Sequence, residues 1–361
     1  MREGYVLVVT PDRDAAPTVL FFGGLGVTRG RRIRIAQYRR DAMITGLGGA
    51  TAVLFVRGLF EFEGLVSLAR RLGIPRYYFV DDHLMIIRDQ GGDAAAFARD
   101  HTQEAVTGMV ADFAGVLVST VPLMNDFRAR AIHPQLELFP PTAIPAVPCS
   151  RDDGAVTIGF FGGSHLHQIL KTAIVPAVRD LAASRPVTLV VVGAKEAIGA
   201  SPGLTVLQLP YQSYLDGVRA LGRAGVTVLA HPVAPGLPGN AFKNPHALIT
   251  AGALGAVPVV SDAPPYSTLR HRGIAVLCGE DPRSWYGGLT SAVQESAAIV
   301  PRLIAYCSTE FSGHTNARVW DAILADYPPP SALAAATRSA VTAAALSAGW
   351  IGRVARRGAT S

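Results

Sequence analysis

Short runs of β-branched and aromatic residues recur along the chain, most of them followed by a segment of helical periodicity. In the first part, residues 5–9, 18–22, 52–57, 77–80, 110–119 and 137–139 read as strands, and 63–72 as a helix. In the second part the strands are 156–161, 188–192, 204–209, 226–230, 257–260 and 274–277, with helices at 169–183, 211–221, 245–254 and 285–293. The run 257–260 is apolar throughout rather than alternating, as strands covered on both faces are. Alternation of strand and helix predicts an α/β fold with parallel sheets and right-handed crossovers. Between the two parts, Pro140, Pro141, Pro145 and Pro148 mark a linker. The expected organisation is a first domain at 1–148, a second at 149–318 and a helical segment and tail at 319–361.

Composition narrows this picture. At 361 residues, 49% of them apolar, the chain is too long for one ordinary core and rich enough for two. The net charge is +6 and the pI near 9.4, with Arg dispersed along the chain. Dispersed Arg is compatible with a solvated basic surface, an anionic small substrate or an anionic membrane face. No basic stripe is interleaved with aromatics, so nucleic acid is not expected as a partner. Cys149, Cys278 and Cys307 have neither disulfide nor metal-ligand spacing, which fits a reducing cytoplasm. The N-terminus lacks a secretory pattern, and no window approaches the roughly 18 apolar residues of a membrane span. The Ala-rich segment 331–355 ends in Arg353, Arg356 and Arg357, with Trp350, Ile351 and Val354 among them. Two readings stay open there: a surface helix or frayed tail, or an interfacial helix holding the protein at the inner face of the membrane.

The richest chemistry lies at 240–266, NAFKNPHALITAGALGAVPVVSDAPPY. Pro245 suits a first helical turn and Gly255 a helix end of positive φ. The loop 261–266 then follows a buried strand at its carboxyl end, where open α/β sheets bind ligands. At 158–168, IGFFGGSHLHQ, a strand meets the glycine pair Gly162–Gly163 before a helix. That arrangement can offer bare amides and a positive helix end to a diphosphate, or it can be an ordinary strand-to-helix turn. Gly23, Gly24 and Gly26 form a weaker glycine cluster. Asp81 and Asp82 follow a strand, but adjacent side chains on an extended chain diverge, so a helix cap competes with a metal or cleft role.

Taken together, the basic residue, helix, Gly, Pro-Val-Val, Ser-Asp and Pro-Pro-Tyr of 243–266 resemble the donor segment of GT-B glycosyltransferases. The likeness is to retaining enzymes of bacterial polysaccharide assembly, and residues 158–168 resemble the opening of their donor domain. The resemblance implies two Rossmann-like domains facing each other across a cleft, and a nucleoside-diphosphate sugar as co-substrate with no other cofactor. It also implies a saccharide or lipid-linked saccharide acceptor. Lys243 and His167 are then the candidate catalytic residues. Gly162, Gly163, Ser164, Asn244, Thr250, Ser261, Asp262, Pro265 and Tyr266 are the donor contacts. Gly193, Ala194 and Lys195 would meet the base, and Arg34, Arg39, Asp81 and Asp82 the acceptor. Family members usually carry Glu where this chain has Thr250, and a second cation where it has Ala247. Lys243 therefore stands alone as the phosphate cation, and metal-independent transfer is expected. Thr250 also motivates a second reading, a non-catalytic relative that binds a sugar nucleotide or a partner. A third is a sugar-nucleotide epimerase of the same fold; a nicotinamide enzyme is disfavoured because no G-x-G-x-x-G stands between strand and helix.

Overall fold

A computed structural model describes residues 4–24, 32–38, 46–90, 92–150, 156–194 and 196–347. The chain divides into two compact units, Met1–Pro141 with Gly313–Ser361, and Thr142–Ser312.

The first unit holds six parallel strands, β1 (Tyr5–Thr10), β2 (Ile33–Gln37), β3 (Ala50–Val56), β4 (Arg76–Val80), β5 (Gly115–Val118) and β6 (Leu136–Leu138), in the order β2-β1-β3-β4-β5-β6. Every position of β1, β3, β4 and β5 is buried, which is why these strands read as unbroken apolar runs. The order reverses between β1 and β3, so their carboxyl ends flank a switch point. The helices are α1 (16–23), α2 (Glu63–Arg71), α3 (Leu84–Asp89), α4 (Gly92–Ala98), α5 (Gln103–Val110) and α6 (Val121–Ala129). Two expectations change here. Residues 18–22 form no strand: Pro17 opens a helical turn that continues as a π-helical stretch, burying Leu20, Phe21 and Phe22. Residues 110–119 are not one strand either, since Val110 ends α5 and only Gly115–Val118 pairs.

The second unit repeats the plan with β7 (Val156–Phe161), β8 (Val187–Val192), β9 (Leu204–Leu209), β10 (Val228–His231), β11 (Val257–Ser261) and β12 (Val276–Cys278), all parallel, in the order β12-β11-β10-β7-β8-β9. Its switch point lies between β7 and β10. The crossovers are α7 (167–182), α8 (Tyr214–Arg223), α9 (His246–Leu254) and the 29-residue α10 (Pro282–Glu310). Gly255 ends α9 in the left-handed region at φ 60°, as the sequence predicts. Asp281 caps α10 by accepting from the Ser284 amide at 2.9 Å. The core gathers Ile158 and Phe160 of β7, Leu189 and Val191 of β8, and Trp285 and Leu289 of α10.

The chain then returns to the first unit through α11 (His314–Asp326) and α12 (Ala332–Ser347). Residues 319–347 are therefore not a segment apart. Trp320, fully buried, packs edge-on against Phe139 at 5.5 Å and against Phe22 at 6.2 Å. Asn316 donates to the Pro140 carbonyl at 2.7 Å, and Arg338 to that of Ala50 at 3.1 Å. Among the described residues no helix is long and apolar enough to cross a membrane. The tail residues 348–361, with Trp350 and the three Arg, lie outside the described residues.

Candidate functional site

In-register pairing brings four loops of the second unit to one edge of its sheet. Phe161 pairs with Val192, Ala230 with Phe160, and His231 with Val260. The Gly162–Gly163 turn, Gly193, the 232–245 loop and Ser261 therefore all leave from carboxyl ends around the β7–β10 switch point. Glycine at 162 leaves open a space where an added Cβ would come within 2.9 Å of Leu166 and 3.3 Å of the Phe160 ring. Ser164 opens a short 3-10 turn that leads into α7. His167 begins α7, its ring 6.4 Å from that of Phe160 and its Nε2 buried without a hydrogen-bond partner.

His231, which sequence reasoning passed over, joins these loops. Its ring hydrogen-bonds the Phe161 carbonyl beside the glycine turn. It packs edge-on against His246 at 4.7 Å and Tyr266 at 6.2 Å. Burial, the neighbouring His246 and the more distant charges of Lys243 and His165 hold its pKa well below the ordinary imidazole value. Lys243 thus acts electrostatically on His231, whose ring meets the residue before the glycine turn. Lys243 is half-buried and forms no ion pair among the described residues. On either side of it, the buried oxygens Oδ1 of Asn240 and Asn244 have no hydrogen-bond partner. The only signal in the sequence for His231 is a His-Pro pair at a strand end.

Several expected donor contacts also make contacts within the scaffold. Thr250 is 4% exposed; its hydroxyl shares a 2.8 Å bond with Tyr214 and donates to the His246 carbonyl at 3.2 Å. Tyr214 is itself stacked on Phe161 at 5.9 Å. Tyr266 is 2% exposed, and its phenol takes the Ala247 amide at the start of α9, where the Pro245 cap supplies no side chain. Burial raises the pKa of both phenols. The Ser261 hydroxyl accepts from the Val233 amide at 2.9 Å and so anchors the loop after β10. Asp262 is paired with Arg270, beyond a loop that turns through the cis Pro264–Pro265 bond. Gly193 has φ 86° and lies against Tyr211, with half-buried Ala194 beyond it. Lys195 lies outside the described residues.

In the first unit, Asp81 and Asp82 do not diverge to separate tasks. Both engage the guanidinium of Arg57, Asp81 at 3.0 Å, because Arg57 reaches between them from the adjacent strand end. Burial alone would weaken that charge; the two carboxylates more than offset it and raise its pKa. Arg57 itself has φ 60°, and its carbonyl accepts from the Tyr78 hydroxyl at 3.0 Å. The helix cap falls to His83, whose Nδ1 accepts from the Ile86 amide. Arg34 is not at the carboxyl edge: it pairs with Leu7 in mid-strand and lies over the Tyr5 ring at 3.9 Å. Arg39 and Gly26 fall outside the described residues. Among the described residues, no group of three or more His, Cys, Asp or Glu is placed to hold a metal ion. A cavity of about 600 Å³ near Tyr77, Gln135 and Arg318 sits toward the amino ends of β4–β6 in the first unit.

No family model matches the sequence, and no curated protein matches it. Solved structures do. The chain is similar to Anabaena HepE in complex with UDP and glucose, at 13% identity and a TM-score of 0.55, over 88% of this chain and 99% of that one. It is similar to an alpha-glucosyltransferase in complex with UDP-glucose and DNA containing an abasic site, at 9% identity and a TM-score of 0.56, over 88% and 98%. A third is Arabidopsis thaliana UGT89C1 complexed with UDP-L-rhamnose, at 11% identity and 0.51, over 90% and 99%. At these identities the likeness is one of fold. The chain is an α/β protein of two Rossmann-like units, the GT-B architecture of those structures along nearly their whole length.

Proposed function

We propose that this chain is a glycosyltransferase that moves a sugar from a nucleoside-diphosphate sugar to a saccharide or lipid-linked saccharide. In this reading transfer needs no metal and retains the anomeric configuration, in the cytoplasmic assembly of a polysaccharide. One observation carries it: Lys243, without an ion pair among the described residues, shares the β7–β10 switch point with the bare Gly162–Gly163 turn, and His231 links the two. Breaking the bond from the anomeric carbon to the diphosphate leaves growing negative charge on the leaving oxygens. Fixed amides, the start of α7 and an ammonium group meet that charge without reorganising. Neutral His231 keeps the pocket from becoming a second strong cation site, so the phosphate charge falls to Lys243. The unpaired oxygens of Asn240 and Asn244 call for donors, which sugar hydroxyls supply. Gly193 and Ala194, next in register, are the base-side contacts. The UDP complexes among the structural neighbours support a nucleotide ligand.

The Thr250–Tyr214 pair favours one competing reading, since α9 carries no carboxylate there for a ribose diol. In that case the protein binds a sugar nucleotide without turning it over. Thermal-shift titration with UDP, GDP, dTDP and NAD tests the shared part. A nucleotide at about a hundred times its Kd stabilises by about 2.7 kcal/mol. The expected result is stabilisation by one of the three nucleoside diphosphates, with affinity down roughly tenfold to a few hundredfold in Lys243→Ala. Release or transfer of sugar from the matching donor then separates enzyme from binding protein. Stabilisation by NAD alone overturns both.

A further inference from the structure

The cavity of about 600 Å³ toward the amino ends of β4–β6 has the size of a small-molecule pocket and belongs wholly to the first unit. Its origin is the slant of α11. That helix starts beside the carboxyl end of β6, where Asn316 holds the Pro140 carbonyl, and finishes over the start of β4, where Tyr327 meets Tyr77. The amino ends of β5 and β6 are left open on that face. Gly115 adds no side chain to the floor, where a Cβ would meet the Tyr77 ring at 3.3 Å. Leu117 of β5 with Val319 and Ile323 of α11 make the remaining apolar surface. At one end Asp326 joins Tyr77, whose ring stands edge to face with that of Tyr327 at 6.5 Å. The carboxylate is near enough to act on the Tyr77 phenol: burial first, then Tyr327, then Asp326 raise its pKa.

This end of α11 concentrates negative charge. The last carbonyls of a helix have no partner within it and form the negative pole of its dipole. A left-handed cap commonly returns N–H groups to them, but Tyr327 is extended, at φ −128° and ψ 100°. Pro328, Pro329 and Pro330 follow, and none has an N–H to give. The last turn holds no basic residue, and its one charged side chain is Asp326, an anion at the pole that disfavours anions. Among the described residues Asp326 makes no ion pair. The two other charged groups of the lining, Glu137 and Arg318, are opposite in sign, and Arg318 lies about 12 Å from Asp326 along the helix axis. Uncompensated negative charge beside an aromatic ring and an apolar floor suits an ammonium group on an apolar body. We infer that this cavity binds an organic ammonium ion, its nitrogen at Asp326 beside the Tyr77 ring and its apolar body over Gly115 and Leu117. A bare inorganic cation would leave the apolar part of the space unfilled. The site does not rest on the transfer reading above.

Isothermal titration calorimetry on the full chain tests this with phenethylammonium and n-hexylammonium chloride. 2-Phenylethanol and hexan-1-ol are the neutral counterparts, 3-phenylpropionate the anionic one, and potassium chloride supplies the bare cation. At least one of the two ammonium ions should bind with a Kd of about 1 mM or tighter, and its alcohol about tenfold more weakly or not at all. Asp326→Asn should weaken the ammonium ion about tenfold, toward the alcohol's affinity. Ala322→Trp, on the wall contributed by α11, should fill the space and abolish binding. Both positions are exposed, so both variants should fold. Asp326→Asn, which takes an anion off the negative end of a helix, should melt no lower than the parent. Failure of both ammonium ions to bind, equal binding of the matching alcohol, full competition by equimolar potassium, or unchanged binding in either variant each overturns the inference. The nucleoside-diphosphate shift should be the same in all three proteins, so the cavity and the transfer reading stand or fall separately.

Discussion

His231 is a core residue of the candidate site that also makes the whole fold sensitive to acid. In the unfolded chain its imidazole takes a proton near pH 6.5. In the folded chain burial and His246 keep it neutral to much lower pH. Below about 6.5 the unfolded state therefore binds more protons, and stability falls as pH drops toward the folded pKa. His83 and His101 are lowered by burial in the same direction, while the depressed carboxyls of Asp112 and Asp126 act only in a more acidic window. Urea midpoints should drop between pH 7.5 and 5.5, and the drop should be smaller in His231→Asn; equal drops would exclude His231 as a cause. None of this was legible from the sequence. The glycine turn and Lys243 carry a residue pattern, whereas His231 acquires its role from register with Phe161 and from packing against residues 15 and 35 positions away. The Thr250 hydrogen bond was illegible for the same reason, its partner Tyr214 being 36 residues distant.

Elements were easier to read than contacts. The buried strands of both sheets announce themselves as apolar runs, and Gly255 marks the end of α9 by the backbone angle it must adopt. The run 18–22 misled because apolar residues without polar interruptions carry no period, and only Pro17 favours a first helical turn. How closely α10 approaches the sheet is set by another glycine. A Cβ on Gly288 would sit 2.1 Å from the Cys278 sulfur and 3.4 Å from Val259 and Val276. Cys278 is 1% exposed at the end of β12 and has no room to retreat. Gly288→Ala should destabilise the protein by about 1–3 kcal/mol, the usual cost of overpacking, despite alanine's better helix propensity. Removing the sulfur as well, in Gly288→Ala with Cys278→Ala, should recover most of the loss. Chemical denaturation of the four proteins in this cycle measures it; strict additivity would mean the contact is not the cause.

At the scale of the molecule, the chain leaves its first unit once and comes back. The second unit is continuous from Thr142 to Ser312 and encloses its own core, from β7 to Trp285 of α10. The first unit is not continuous: β1 to β6 lie before the excursion, and α11 with Trp320 lies after it. Trp320 closes an aromatic cluster with Phe22, Phe79 and Phe139, and Asn316 holds the Pro140 carbonyl where the chain departs. The proline run revealed that the chain changes unit but not that it returns, since helical patterning at 314–326 does not say which core it covers. Truncating a large buried aromatic costs about 3–5 kcal/mol, a large part of a domain's whole stability. A fragment of residues 142–312 should therefore fold alone, with a cooperative melt and the same nucleoside-diphosphate shift as the full chain. A fragment of residues 1–141 should lack cooperative unfolding, and joining 313–347 to it through a short flexible linker should restore it. Near-ultraviolet circular dichroism and thermal denaturation of the three fragments decide the matter. If 1–141 melts cooperatively by itself, the returning helices are an accessory and not part of the first unit's core.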